Sequence, residues 1–462
     1  LQSDETGTAS LIHNTNNVPA TIKRYISGAA EAWHLLASPV SNQSISGSWL
    51  PFGNYGDKTK TGKGTGYDLY LWDEPSNCWI YKLNPDPIVN WNSLNPGSDF
   101  VTGRGYLYSL EAINQTKEFD GNLNNGTINY GLTRGIIENE QNDLNGFNLI
   151  GNPYPSSVDW SASSGWIRSN LVNSGGGYDM WIWNPSANNY GVYNSFTLCG
   201  TNDVTQYIAP MQGYFVRAQS NGNLTMDNSV RMAIAAGTWK NAEIKPDNLS
   251  LIVQSTSDNS FDEVELLFGY NRNQIGAVKL FSHVVTAPSL YLPWADEFFS
   301  VRYLTDTVDN STIPVMFKPG RDGNYTLTGR FNFDQFEIVL LEDLQTNVIQ
   351  NLKTSQTYLF NASKTDNYNR FRLHFGMIKS QQVNELLANI TTDGTNIIID
   401  LTTVQLETEV LVYDILGRVV LQKKLQGEIK HILNYNTNTQ LLIVCLKNRE
   451  GNLYKKVFLE MK

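Results

Sequence analysis

Two short stretches of this chain carry the residue types that could do chemistry. Asp68, Tyr70 and Trp72 alternate along one, and Asp179, Trp181 and Trp183 along the other. A strand points alternate side chains to one face, so each stretch would present a carboxylate and two aromatic rings together. The opposite faces would carry Tyr67, Leu69 and Leu71, and Tyr178, Met180 and Ile182. An aspartate beside two rings suits a sugar, which stacks on the rings while carboxylate and Asn groups orient its hydroxyls. The same pattern also suits rings packed between two sheets, each aspartate accepting hydrogen bonds from a turn or an arginine. Paired carboxylates could instead hydrolyse a glycosidic bond. Nothing near Asp68 or Asp179 in sequence separates their pKa values, which acid and base roles require.

Other chemistries find less support. The five histidines, His13, His34, His283, His374 and His431, are scattered, with no two inside ten residues. No local zinc spacing or triad arrangement follows from them. The three cysteines, Cys78, Cys199 and Cys445, form no Cys-x-x-Cys pair. Free buried thiols are one reading, and a Cys78–Cys199 bridge is the other. No cofactor is expected, and calcium is the one that the sequence leaves open. Asp120-Gly121-Asn122, Asp322-Gly323-Asn324 and Asp143-Leu144-Asn145-Gly146 offer turn oxygens without the full spacing of a calcium loop. Phosphate-loop, dinucleotide and zinc-peptidase motifs are absent from the sequence.

The two aspartate-aromatic stretches sit inside a repeat. Residues 33–39 read Trp-His-Leu-Leu-Ala-Ser-Pro, and residues 147–153 read Phe-Asn-Leu-Ile-Gly-Asn-Pro. Each copy closes on a Gly-Tyr strand, at Gly105-Tyr106 and Gly213-Tyr214. The offsets between copies are 153 − 39 = 114, 179 − 68 = 111 and 213 − 105 = 108. Ordered anchors with a slowly drifting offset point to an internally duplicated β unit, with copies over about residues 33–112 and 147–218. Each copy is short, so pairing of the halves is expected to complete one core. Within the repeat His34 is matched by Asn148, which reads as a tolerated polar position.

A chain of 462 residues needs more than one core. Only 17% of its residues are charged, and Asn, Ser, Thr, Gly and aromatics fill the difference, which favours strands and turns. The expected fold is all-β and multidomain. A duplicated N-terminal β domain would span 1–238 and a β-sandwich 239–378. An immunoglobulin-like sandwich would span 383–462, after a linker at 377–382. The stretch 281–285 could be a short helix or a loop, and 122–131 reads as hairpin turns joining the two copies. The net charge of −10, without a Lys/Arg cluster, argues against a nucleic-acid partner. No apolar run is long enough for a transmembrane helix. The chain begins Leu1-Gln2-Ser3 and reads as a mature form from which a signal peptide has been removed.

The last eighty residues resemble the C-terminal sorting domain of proteins that Bacteroidetes secrete through the type IX system. The hairpin over 412–420, with Asp414 and Gly417 at its turn, carries that resemblance. So do Gly451, Lys455 and Lys456 before a terminal strand. The sequence departs at Gln440-Leu441-Leu442, where such domains usually have a Gly-Tyr pair. That departure puts the sorting role, though not the fold, in question. Residues 336–375 look like the module that commonly precedes such a domain. The duplicated unit looks like segments of large surface proteins from the same bacteria, through 149–155 and 213–216. The resemblance implies an extracellular or outer-membrane surface location and no particular activity.

The reading that joins these expectations is a non-enzymatic, adhesin-like surface or secreted protein. Its partner would be a glycan or another surface protein, bound through Asp68, Tyr70, Trp72, Asp179, Trp181 and Trp183. The alternatives are a polysaccharide-active or proteolytic enzyme with its site in 1–238, and a structural envelope component.

Overall fold

The computed structural model describes residues 1–30, 32–51, 69–82, 91–136, 144–233, 247–270, 276–304, 312–332, 336–378, 388–393, 395–401, 408–415, 417–425, 428–434, 441–447 and 452–458. Asp68, Asp143 and Gln440 lie outside them. The fold is all-β and multidomain, built from many small sheets with only short helical turns between strands. The chain forms two compact units. One comprises Leu1–Asp306, Val315–Asn332 and Thr357–Arg370, and the other Thr307–Pro314, Phe333–Gln356 and Phe371–Lys462.

In the first unit, β1 (Pro19–Ile26) precedes a sheet made of β2 (Trp33–Leu36), β3 (Leu69–Asp73), β4 (Cys78–Tyr81) and β5 (Tyr106–Ser109). Its order is β2-β5-β3-β4. β6 (Gln115–Leu123) then pairs antiparallel with β1 along its whole length. A second sheet uses β7 (Phe147–Gly151), β8 (Gly177–Asn184), β9 (Asn189–Asn194) and β10 (Gly213–Arg217). Its strands pair β7-β10-β8-β9, and the short strand Asn173–Ser174 also pairs with the start of β8.

Strand periodicity decides what each sheet buries. Leu69 and Leu71 enter a core with Ile22, Leu36, Trp49, Tyr106 and Phe119. Met180 enters a separate core with Ile150, Trp160, Tyr193, Tyr214 and Val216. Met211, from the second half, packs in the first of these cores. Residues 122–131, expected to form turns, are largely the ends of β6 and of a strand at Ile128–Leu132. Asp120 and Gly121 are likewise in β6, and Gly121 lies against the Ser41 carbonyl.

The two halves meet through reciprocal contacts at matched positions. Ala37 N donates to Met211 O at 3.0 Å, and Gly151 N donates to Gly103 O at 3.0 Å. Leu36 bridges to Gln212, and Ile150 to Arg104. Gly103 and Met211 both adopt a left-handed backbone, with φ of +80° and +62°. This conformation is unusual for methionine, so the turn geometry is held by the contacts around it.

The same unit contains a five-stranded sheet in the order Val301–Tyr303, Phe261–Leu267, Asn248–Ser255, Gly323–Phe331, Thr357–Ala362. Val264 and Leu266 face its core, as their alternation predicts. Asp262 is fully buried with Lys279 at 2.5 Å. It also accepts from Leu290 N and Asn202 Nδ2. A buried carboxylate persists only with such partners.

The second unit ends in a sandwich. Three strands, Ala388–Thr392, Asn396–Leu401 and Lys430–Asn434, form one sheet. Four form the other: Val419–Leu425, Thr408–Tyr413, Leu441–Lys447 and Asn452–Phe458. Ile397, Ile399, Val410, Val412, Leu442 and Val444 alternate into the shared core. The turn after Tyr413 is built as its sequence suggests. Asp414 accepts from Arg418 N and Nε, and Gly417 takes φ +74°.

Candidate functional site

The aromatic faces of the two sheets are turned toward one another. Trp72 lies edge-on to Phe215 of β10, and its indole N–H donates to Phe147 O at 2.6 Å. Trp181 packs on Phe147 and donates to Val278 O at 3.1 Å. Tyr70 contacts Trp33 and Tyr81. His283 closes the seam, with Trp183 at 4.2 Å between ring centroids and Trp33 at 6.1 Å. The stretch 281–285 is irregular chain without a helix, and it supplies this histidine.

Burial separates the six residues singled out by sequence. Tyr70 and Trp72 are half-buried, whereas Trp181 and Trp183 are only 2% and 4% exposed. Asp179 is buried and accepts from Asn194 Nδ2 at 2.8 Å. Burial pushes its carboxyl up to about 6, against the opposing pull of hydrogen bonds from Ser174 and Asn194 and of the Arg217 charge. Asp68 lies outside the described residues. These rings thus form one seam between sheets rather than a flat exposed strip.

One of the six, Trp183, also lines a cleft of about 200 Å³ where the two halves adjoin. Arg24 and Ser27 from β1 and the residues after it, His34 from β2, and Pro185 and Gln212 contribute the rest of its polar and turn wall. The volume is below the roughly 300–1,000 Å³ of sites for drug-sized ligands, so it suits one small group.

Two polar side-chain atoms on residues that line this cleft lack hydrogen-bond partners. The Trp183 indole N–H and His34 Nε2 are buried with no hydrogen-bond partner. Burial, and then the charge of Arg24, push the His34 imidazole down to about 4, so it is neutral at pH 7. Arg24 donates from Nη1 to Thr8 Oγ1 at 2.6 Å. Among the described residues no carboxylate pairs with Arg24, and burial lowers its pKa. Gln212 is held by donating from Nε2 to the carbonyls of Leu35 and Gly213. Buried donors in a folded protein nearly always have acceptors. Trp183 Nε1 and His34 Nε2 are two exceptions on residues that line this cleft.

Sequence reasoning missed Arg24 and Gln212 and set His34 aside. Its repeat counterpart shows what was overlooked. Asn148 has both amide atoms engaged, accepting from Thr133 N and donating to Thr133 O and Gly146 O. His34 at the matching place leaves Nε2 open. The difference between the two copies was therefore the available signal.

The other sequence candidates resolve differently. Cys78, Cys199 and Cys445 are all free. Asp322 is occupied by Ser363 Oγ and Lys364 N, which fold the adjoining turn. Among the described residues no group of three His, Cys, Asp or Glu side chains is placed to hold a metal ion. No helix among them is long and apolar enough to cross a membrane.

The family described as "Domain of unknown function (DUF8693)" matches residues 8–248. That range holds every cleft residue named above but not His283. No curated protein matches the chain. A solved structure titled "Biofilm associated protein - BSP domain" shares 10% identity, covering 99% of this chain and 97% of that one. Its TM-score of 0.14 establishes no common fold.

Proposed function

The chain belongs to the DUF8693 family, which matches just over half of it, and from that premise we propose that it is a non-enzymatic, adhesin-like binding protein of the cell surface or secreted space. Its ligand is a glycan, one residue of which enters the cleft between the two β halves. The observation that carries this reading is the set of unpartnered polar atoms on Trp183 and His34 beside the uncompensated Arg24. Sugar hydroxyls both donate and accept, and they match an indole N–H, a neutral imidazole and a guanidinium together. Tyr70, Trp72, Trp181 and Asp179 serve behind the cleft, fixing the seam from which Trp183 projects. A site supported by rigid strands needs little reorganisation on binding. The C-terminal sandwich acts as an anchor or sorting element.

A glycan array probed with the full chain, with and without calcium, tests the proposal. Binding to a defined glycan set is expected, and Trp183→Phe, which removes only the indole N–H and part of the ring, should weaken it severalfold. Absence of binding across plant, host and microbial glycans, by a chain with native near-ultraviolet circular dichroism, would sink it.

A further inference from the structure

Arg24 has a charge that the protein leaves unanswered. It lies on β1 directly opposite Lys117 of β6, so two cations share one face of the pair. Like charges so placed destabilise a sheet. The acids nearby on β6 and just before it are committed elsewhere. Glu118 pairs with Lys23 at 2.9 Å, and Glu111 pairs with Lys117 at 2.6 Å. Asp120 accepts from Thr21 Oγ1. Among the described residues Arg24 has one hydrogen-bond partner, the Thr8 hydroxyl, for a guanidinium with five N–H donors. A half-buried cation without a counter-ion carries a desolvation cost that folding alone does not recover.

The geometry points to an acidic saccharide as the ligand of the cleft, with its carboxylate supplying the counter-ion that Arg24 lacks; this rests on the glycan reading above. A planar guanidinium matches a carboxylate through two parallel hydrogen bonds. The neutral His34 imidazole and the Trp183 indole N–H line the same cleft, where they can take ring hydroxyls. A volume of about 200 Å³ limits the buried part to a single sugar ring.

The test is isothermal titration of the full chain with a β-1,4-linked glucuronic acid trisaccharide and with the glucose trisaccharide of the same linkage. The two ligands differ at C6, where a carboxylate replaces a hydroxymethyl group. The acidic ligand should bind about tenfold or more tighter, the scale of a charge-assisted hydrogen bond. The margin should shrink in high salt. Arg24→Gln should abolish the margin, bringing the affinities of the two ligands within about twofold of one another. Should that variant fold poorly, Arg24→Lys keeps the charge without the fork and should reduce the margin without erasing it. Equal affinity for both ligands overturns the inference and leaves the glycan reading standing. Binding of neither overturns both. Competition by sodium acetate as effective as by the whole acidic trisaccharide overturns the saccharide assignment in favour of a bare anion site.

Discussion

Ala37 and Gly151 occupy matched positions in the two β halves, and they touch each other. A Cβ on Gly151 would stand 2.1 Å from the Cβ of Ala37. The approach is reciprocal around this point. Gly105 lies against the Ile150 carbonyl, and Gly213 against Leu35 and Leu36. The glycines are required by this proximity and not by an unusual φ, since none of the three is in the left-handed region.

Gly151→Ala should therefore cost about 1–3 kcal/mol, the usual penalty for overpacking a tight contact. Ala37→Gly introduced into the same chain should recover part of it, because it removes the atom that clashes. Urea denaturation followed by tryptophan fluorescence measures both. Wild-type stability in the single variant would show that the contact has slack.

The buried Lys279–Asp262 pair gives a larger effect. Lys279→Met leaves a carboxylate at 0% exposure without its cation, and should cost about 3–5 kcal/mol. Asp262→Asn added to it should regain part of the loss. The single amide oxygen of the new residue can keep one of the two donors that now bond to separate Asp262 oxygens, Leu290 N at Oδ2 or Asn202 Nδ2 at Oδ1. A double variant no better than the single one would contradict this account.

Asp179 should make stability fall as pH rises through the weakly acidic range. Its folded carboxyl titrates at about 6, above the ordinary 3.8. The folded state thus holds this proton more tightly than the unfolded chain. The contribution is fully present below about pH 4 and is lost as pH rises through about 6, amounting to about 3 kcal/mol. Asp179→Asn abolishes the titration. The stability difference between wild type and variant, measured from pH 3.5 to 7, should change by that amount, and a flat difference would refute it.

His283 should behave in the opposite sense. Burial among Trp33, Trp183 and Tyr190 holds its imidazole down at about 4, against 6.5 in the unfolded chain. Its contribution is fully present above pH 6.5 and is lost as pH falls through about 4. A proton NMR titration of its ring should give a midpoint near 4. A midpoint near 6.5 would mean that the ring is solvated and that the seam is open at this end.

Much of the strand pattern was legible because strand periodicity is local. Alternation assigned Leu69 and Leu71 to one face and Tyr70 and Trp72 to the other, and likewise split Met180 from Trp181 and Trp183. The Asp414-to-Gly417 turn was legible for the same reason, since its hydrogen bonds close within five residues. The cleft was not legible. Arg24 and Trp183 are 159 positions apart in number (183 − 24) and meet only once two separate sheets are assembled.

The sequence by itself determined which residues share a face and where hairpins turn. Those properties follow from backbone geometry over a few residues. The tertiary structure alone decided which faces see solvent. Trp181 is buried because Phe147 and the Val278 carbonyl cover it. Trp183 is covered by His283 and Tyr190 yet still lines the cleft with its indole N–H unmet. Whether a ring becomes core or binding wall depends on what distant chain packs against it, and no local pattern carries that information.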